Sequence, residues 1–206
     1  IKPGQISALT TAQVSNMSTA QIKALSSSQV QALTSSQLNS LSSSALNSID
    51  TQDVAALSAA QVHKLSTAAV AALSSDQVKA LTATQLSALT TSQVQALETG
   101  DLALLNTTQL SSFSPAQVGA LTIDQVKNLS TAQLQGMKPG QIGALGTAQV
   151  SNMSTSQIKA LTSTQVQSLT SAQLNGMSSE SLNSIDTQDI AALSVAQVQK
   201  LSTATV

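Results

Sequence analysis

The chain has 206 residues, 41% of them hydrophobic and 8% charged, with a formal net charge of −1. It contains no Cys, Trp or Tyr, one Phe and one His, which removes disulfide frameworks, cysteine-ligated zinc, haem attachment and aromatic stacking sites. The missing basic excess argues against a nucleic-acid partner, and no apolar run approaches the ~18 residues of a membrane span.

Self-similarity decides the architecture. Reading from Ile1 in steps of eight gives 25 complete octads and a final LSTATV, with no slip of phase. Position 1 is Leu, Ile, Met or Phe and position 6 is Val, Ile or Leu in all 26 units. Position 2 is Ser or Thr in 19 and position 5 is Gln in 19. Around a continuous helix eight residues drift by about 80°, so no single face would be buried. The Ala, Gln, Leu and Lys content favours helix over strand, and one short helix per octad explains the most positions at once. Position 2 is then the N-cap, and Gln at position 5 is the N3 partner of an S/T-x-x-Q capping box. Positions 1 and 6 form the hydrophobic staple, as in Leu9 with Val14 and Leu25 with Val30.

Taken along the chain, the first octad carries Pro3 at the first helical position, and Pro115 and Pro139 fall at the same place, where a missing N–H costs nothing. The octads at 49–56 and 185–192 have acidic residues at both box positions, Asp50/Asp53 and Asp186/Asp189. Asp50, Asn106 and Asp186 are good caps, whereas Lys2, Glu98, Lys138 and Gly146 are weaker ones. The stretch 97–128 departs most from consensus, with Glu98, Asp101, Leu104, Asn106, Phe113 and Ile123. Residues 137–206 repeat residues 1–70 with 54 identities, a shift of 17 octads. Residues 1–136 are thus one long repeat and 137–206 a partial second copy, and the whole of 1–206 reads as a single octapeptide-repeat solenoid, a piece of a longer array. Position 8 is Ala, Ser or Gly in 19 of the 25 complete octads, which predicts close backbone approach there. Helices this short need neighbours to hold them, so the expected fold is an all-α solenoid of very short capped helices, with two octads per coil.

The octads LTTAQVSN (9–16), LSTAQLQG (129–136) and LTATQLSA (81–88) resemble the L-[ST]-T-A-Q-[VI]-x-A tandem repeats of very large bacterial secreted or surface proteins, often labelled adhesin-like. The resemblance covers the whole chain and implies an elongated protein located outside the cell or at its surface. LETGDLAL (97–104) and the Lys-Pro-Gly octads (1–8 and 137–144) depart from that pattern locally.

Candidate chemistry is thin. His63 is the sole imidazole and its counterpart in the second copy is Gln199, which points to a solvated side chain rather than an acid–base group or metal ligand. The Asp50/Asp53 and Asp186/Asp189 pairs offer carboxylate oxygens to a hard cation, but an acidic capping box at a helix N-terminus explains them as well. Asn16, Asn106, Asn128 and Asn152 begin Asn-x-Ser/Thr triplets, and hydroxyls at positions 2 and 3 would stack into ridges. Leu104 with Phe113 would make a small apolar patch. No nucleophile elbow, zinc-helix motif or phosphate loop is present, so no catalytic residue, cofactor or metal is assigned. The expected role is a structural rod, stalk or filament whose partner is further copies of the same repeat. The alternative is a solenoid that binds polysaccharide, peptide or ice.

Overall fold

The structure is a computed structural model and describes residues 2–201. Within them each octad folds as one α-helix of four to six residues, from α1 (Pro3–Ile6) to α25 (Val195–Val198), and no strand occurs among the described residues. Ser202 and Val206, the cap and staple residues of the final octad, lie outside the described residues. The chain forms two compact units, Ile1–Leu105 and Asn106–Val206. The start of the second long copy, at 137, falls inside the second unit rather than at its edge.

The local signature is present octad after octad. N-cap residues are extended, with φ between −77° and −63° and ψ between 143° and 169°. In a typical octad Thr82 Oγ1 accepts from the Gln85 N–H at 3.2 Å, and Gln85 Oε1 accepts from the Thr82 N–H at 2.8 Å. These two bonds satisfy donors that the first turn of a helix otherwise leaves unpaired. All three prolines stand at N1. Where the cap is Lys2 or Lys138 the side chain accepts nothing, yet the glutamine half of the box persists, at 2.8 Å from Gln5 and 2.7 Å from Gln141. No described residue has positive φ, so the corners are turned by two extended residues, positions 1 and 2. This is why 26 octads manage with eight glycines.

Within each unit a helix packs on the one three octads away: α2 (Thr11–Ser15) on α5 (Ser35–Ser40), α8 (Ala59–His63) on α11 (Ala83–Ala88), and α18 (Pro139–Gly143) on α21 (Ser163–Ser168). The coil therefore holds three octads, not the two expected from sequence. Two extended residues reach at most about 7 Å, short of the roughly 8–10 Å between the axes of packed antiparallel helices. The corner turns the chain but cannot reverse it, and three such corners close a coil. Position 6 points inward and is at most 4% exposed from Ile6 to Leu174, and position 1 is at most 8% exposed from Leu33 to Ile185. These two rows are the core, and their burial at roughly 1.5–3 kcal/mol per side chain outweighs the ~1 kcal/mol of each cap.

Close approach at position 8 is as expected. A Cβ on Gly176 would stand 2.5 Å from Thr147 Cγ2, while at the equivalent place in the first copy the Ser40 hydroxyl donates to the Thr11 carbonyl at 3.2 Å. Position 7 is as tight in places: a Cβ on Gly143 would lie 2.7 Å from the Ser168 carbonyl oxygen.

Candidate functional site

The side chain with the most to do is the glutamine at position 5. Its Oε1 serves its own helix start. Its Nε2 leaves the octad and donates to two main-chain carbonyls of the preceding coil, 31 and 28 residues back. Gln37 donates to Ile6 and Leu9 at 2.9 and 2.7 Å, and Gln85 to Val54 and Leu57 at 2.9 and 2.7 Å. Gln93 reaches Val62 and Leu65, Gln157 reaches Val126 and Leu129, and Gln165 reaches Leu134 and Met137, all within 3.0 Å. These amides are buried, between 1% and 5% exposed, and both N–H bonds of each are used. No buried side-chain nitrogen or oxygen among the described residues lacks a partner. One residue thus caps a helix and fastens one coil to the last.

Sequence reasoning found the capping half of this device and missed the clamp. A signal for it exists: glutamate is the better box partner beside a helix dipole, yet position 5 is Gln even beneath Lys138 and Gly146. An amide is required only if a donor is required.

A second row of inter-coil bonds starts at position 7 and runs forward 25 residues. Gln31 Nε2 donates to the Ala56 carbonyl at 2.9 Å, Asn39 Nδ2 to Lys64 at 3.0 Å and Asn175 Nδ2 to Lys200 at 2.8 Å. His63 belongs to this row: its Nδ1 lies 2.7 Å from the Ala88 carbonyl oxygen, so the ring is exposed but bonded between coils rather than merely solvated.

The acidic pairs are not capping boxes. Asp50, Glu98 and Asp186 make no side-chain cap bond, and no box forms in those octads. Aspartate at N3 is one methylene short of the Glu or Gln that the box needs. Asp53 instead accepts from the Ser27 hydroxyl, and Asp101 Oδ1 accepts from Ser75 Oγ at 2.5 Å, each from position 3 of the coil before. Asp50, Asp53 and Asp76 share one shallow depression, yet among the described residues no three acidic or imidazole groups converge on one point.

The apolar patch expected of Leu104 with Phe113 is absent, because Phe113 occupies a core position at 2% exposure while Leu104 is 47% exposed. The Asn-x-Ser/Thr asparagines are held locally. Asn16, Asn128 and Asn152 donate to the carbonyl four residues back at 2.8–2.9 Å, and Asn106 accepts from the Gln109 N–H at 2.9 Å. Position-2 hydroxyls are engaged as caps in most octads, Ser26 being an exception whose hydroxyl lies against Ser28 and Gln29 instead, which leaves position 3 as the exposed hydroxyl row. No described helix is long and apolar enough to cross a membrane.

The ALTTAQ repeat matches this chain at residues 6–43, 46–83, 94–131, 128–163 and 136–171. Among curated proteins none matches it.

Proposed function

Because the chain belongs to the ALTTAQ repeat family, we propose that it is a structural repeat protein, a stretch of stalk or filament on or outside a bacterial cell, with no catalytic step. The coil-to-coil glutamine clamp carries this reading. Its partners are main-chain carbonyls, which every residue type supplies, so any octad with Gln at position 5 docks on any preceding coil whatever the outward side chains are. Stability then grows as a sum of neighbouring interfaces, and length is changed by recombination in register. The 54-of-70 identity between the two copies is the trace such recombination leaves. The test is electron microscopy of arrays containing different numbers of octads, alongside filaments prepared without denaturants. Particle length is expected to rise in proportion to octad number. Particles whose size does not follow octad number would overturn the reading.

A further inference from the structure

Four consecutive octads interrupt the glutamine row. Position 5 is Ala45, Asp53, Gln61 and Ala69 across residues 41–72, so one octad of the four carries an amide there. In the second copy the same places hold Ser181, Asp189, Gln197 and Thr205, the last outside the described residues. Six of the seven octads without glutamine at position 5 fall in these two stretches. Two of the three exceptions differ between the copies, Ala45 against Ser181 and Ala69 against Thr205, and neither became an amide, whereas each of the six position-5 glutamines of residues 1–70 is kept.

The two sides of the stretch 41–72 are therefore tied differently. On the side of the following coil, Gln77 donates to Leu46 and Ile49 at 2.8 and 2.9 Å, Gln85 to Val54 and Leu57, and Gln93 to Val62 and Leu65. On the side of the preceding coil, Ala45 and Ala69 leave the carbonyls of Val14, Met17, Leu38 and Leu41 without a side-chain amide among the described residues, and Asp53 leaves those of Ile22 and Leu25. Gln61 supplies the one position-5 amide, and its clamp has slipped by a residue. Its Nε2 donates to Gln31 and Leu33 at 3.0 and 2.7 Å, where the register of the other clamps calls for Val30 and Leu33. Gln61 is half-buried, while Gln77, Gln85 and Gln93 are 1–2% exposed. Gln197 slips in the same way, onto Gln167 and Leu169. Beside each slipped clamp the surface opens into a shallow depression, lined in one copy by Gln31, Leu33, Ala56, Ser58 and Gln61 and in the other by Gln167, Leu169, Ala192, Ser194 and Gln197. Other ties across this preceding seam are the Ser27 hydroxyl to Asp53 and bonds from exposed position 7, Gln31 to Ala56 and Asn39 to Lys64. Asn39 Oδ1 also accepts from the Ser66 N–H at 2.8 Å, in place of the box partner that Ala69 cannot be.

A carbonyl shut into a seam without its donor costs free energy that it recovers when water reaches it. The apolar packing is alike on both sides, with Leu46, Val54 and Val62 at most 4% exposed, so the missing amides decide which side opens more readily. In a solenoid the coil interfaces contribute separately, and the weakest opens first. We propose that the seam between residues 41–72 and the coil before them is a yielding joint, at which the coils part under load or denaturant while the seam between 49–72 and 73–96 stays shut. The second copy carries the same joint ahead of residues 177–200. Such a joint lets a stalk give at one place per long repeat without unfolding elsewhere. The load comes from the stalk reading; the weakness of the seam does not depend on it.

The chain has no cysteine, so introduced thiols label single places. Ser28, Gln52 and Asp76 are exposed at position 4 of three octads that pack one on the next. Spin labels on Ser28→Cys with Gln52→Cys span the weak seam, and labels on Gln52→Cys with Asp76→Cys span the clamped one. The test is the distance within each pair, read by electron paramagnetic resonance of the full chain in rising sub-denaturing urea. The separated population is expected to be at least about tenfold larger across the weak seam. Ala45→Gln, Asp53→Gln and Ala69→Gln together supply the missing donors and are expected to cancel the difference. Should that variant lose helicity, Gln77→Ala with Gln93→Ala decides instead, and is expected to raise the separated population across the clamped seam at least about tenfold. Equal separation of the two pairs in the parent, a folded donor-restoring variant that keeps the difference, or a clamp-removing variant whose seam stays shut would each overturn the inference. None of these outcomes touches the proportionality of particle length to octad number, which tests the structural reading separately.

Discussion

At position 5 of octad 33–40 stands Gln37, and at the same place in octad 49–56 stands Asp53. The amide gives one oxygen to the Thr34 N–H and two hydrogens to the carbonyls of Ile6 and Leu9. The carboxylate gives nothing to the carbonyls of Ile22 and Leu25, which stand where a clamp would reach, and takes a hydroxyl hydrogen from Ser27 instead. Both side chains are buried, at 1% and 8% exposure, and both are satisfied. The coil interface thus tolerates a change of hydrogen-bond polarity at position 5 when position 3 of the preceding coil supplies a donor. Burial alone does not fix glutamine there: a buried aspartate is accommodated over the equivalent carbonyls because Ser27 supplies it with a donor.

The strongest way to break the comparison is to reverse polarity without supplying that donor. Gln85→Glu keeps the capping oxygen but turns a charged acceptor toward the carbonyls of Val54 and Leu57. The expected loss is on the order of 3 kcal/mol, read from the urea midpoint at neutral pH. Gln5→Glu, the same change in the first coil, is expected to stay within about 0.5 kcal/mol because its Nε2 donates to nothing among the described residues. Equal effects at the two sites would refute the clamp as an energetic term. The sign with pH follows. Burial raises the folded-state pKa of the introduced carboxyl above its unfolded value of ~4.3. The penalty is therefore full at neutral pH and shrinks as pH falls through the raised value, where the protonated group regains a donor.

Much of this was legible in the sequence, and the division is physical. Caps, boxes, staples and proline positions are contacts between residues three to five apart, so each unit displays both partners in one octad. Position 6 and position 1 could be assigned to the core for the same reason. The clamp joins Gln85 to carbonyls 28 and 31 residues away, and a carbonyl has no residue type to betray it. The number of octads per coil was misjudged on the same account, since it depends on the reach of a two-residue corner rather than on any side chain. His63 looked idle because its partner, too, is a carbonyl.

A steric break is expected to cost somewhat less than the polarity reversal. Gly143→Ala places a methyl 2.7 Å from the Ser168 carbonyl oxygen, against α21. To relieve it the coils must part, and the Gln173 clamp on Ile142, Gly143 and Leu145 stretches from 3.4, 3.3 and 2.6 Å. A loss of about 1–3 kcal/mol is expected by thermal or urea unfolding, and a loss below about 0.5 kcal/mol would mean that the interface yields freely. Smaller still, and of opposite sign, is the conversion of the acidic octad. Asp53→Gln offers donors to the Ile22 and Leu25 carbonyls and an oxygen to the Asp50 N–H, at the expense of the Ser27 bond. A net gain of about 0.5–1.5 kcal/mol is expected; a destabilised variant would show that the acidic octads are tuned to their own geometry.

The least effect belongs to position 7. His63 and Gln31 make the same bond to a carbonyl 25 residues ahead, at 2.7 and 2.9 Å, and the second copy has Gln199 where the first has His63. If the ring serves only as a donor, His63→Gln keeps the bond and the unfolding midpoint stays within about 0.5 kcal/mol of the parent at neutral pH. His63→Ala loses the bond but leaves a solvent-accessible carbonyl that water satisfies, so its cost is expected near the low end of a hydrogen bond, about 0.5 kcal/mol. A substantially larger loss on His63→Gln would mean that the imidazole does something an amide cannot. The contrast with Gln85 would then lie in chemistry rather than in burial. A small loss on both variants places the outer row where its exposure puts it, as trim on an interface whose strength resides in the buried clamp.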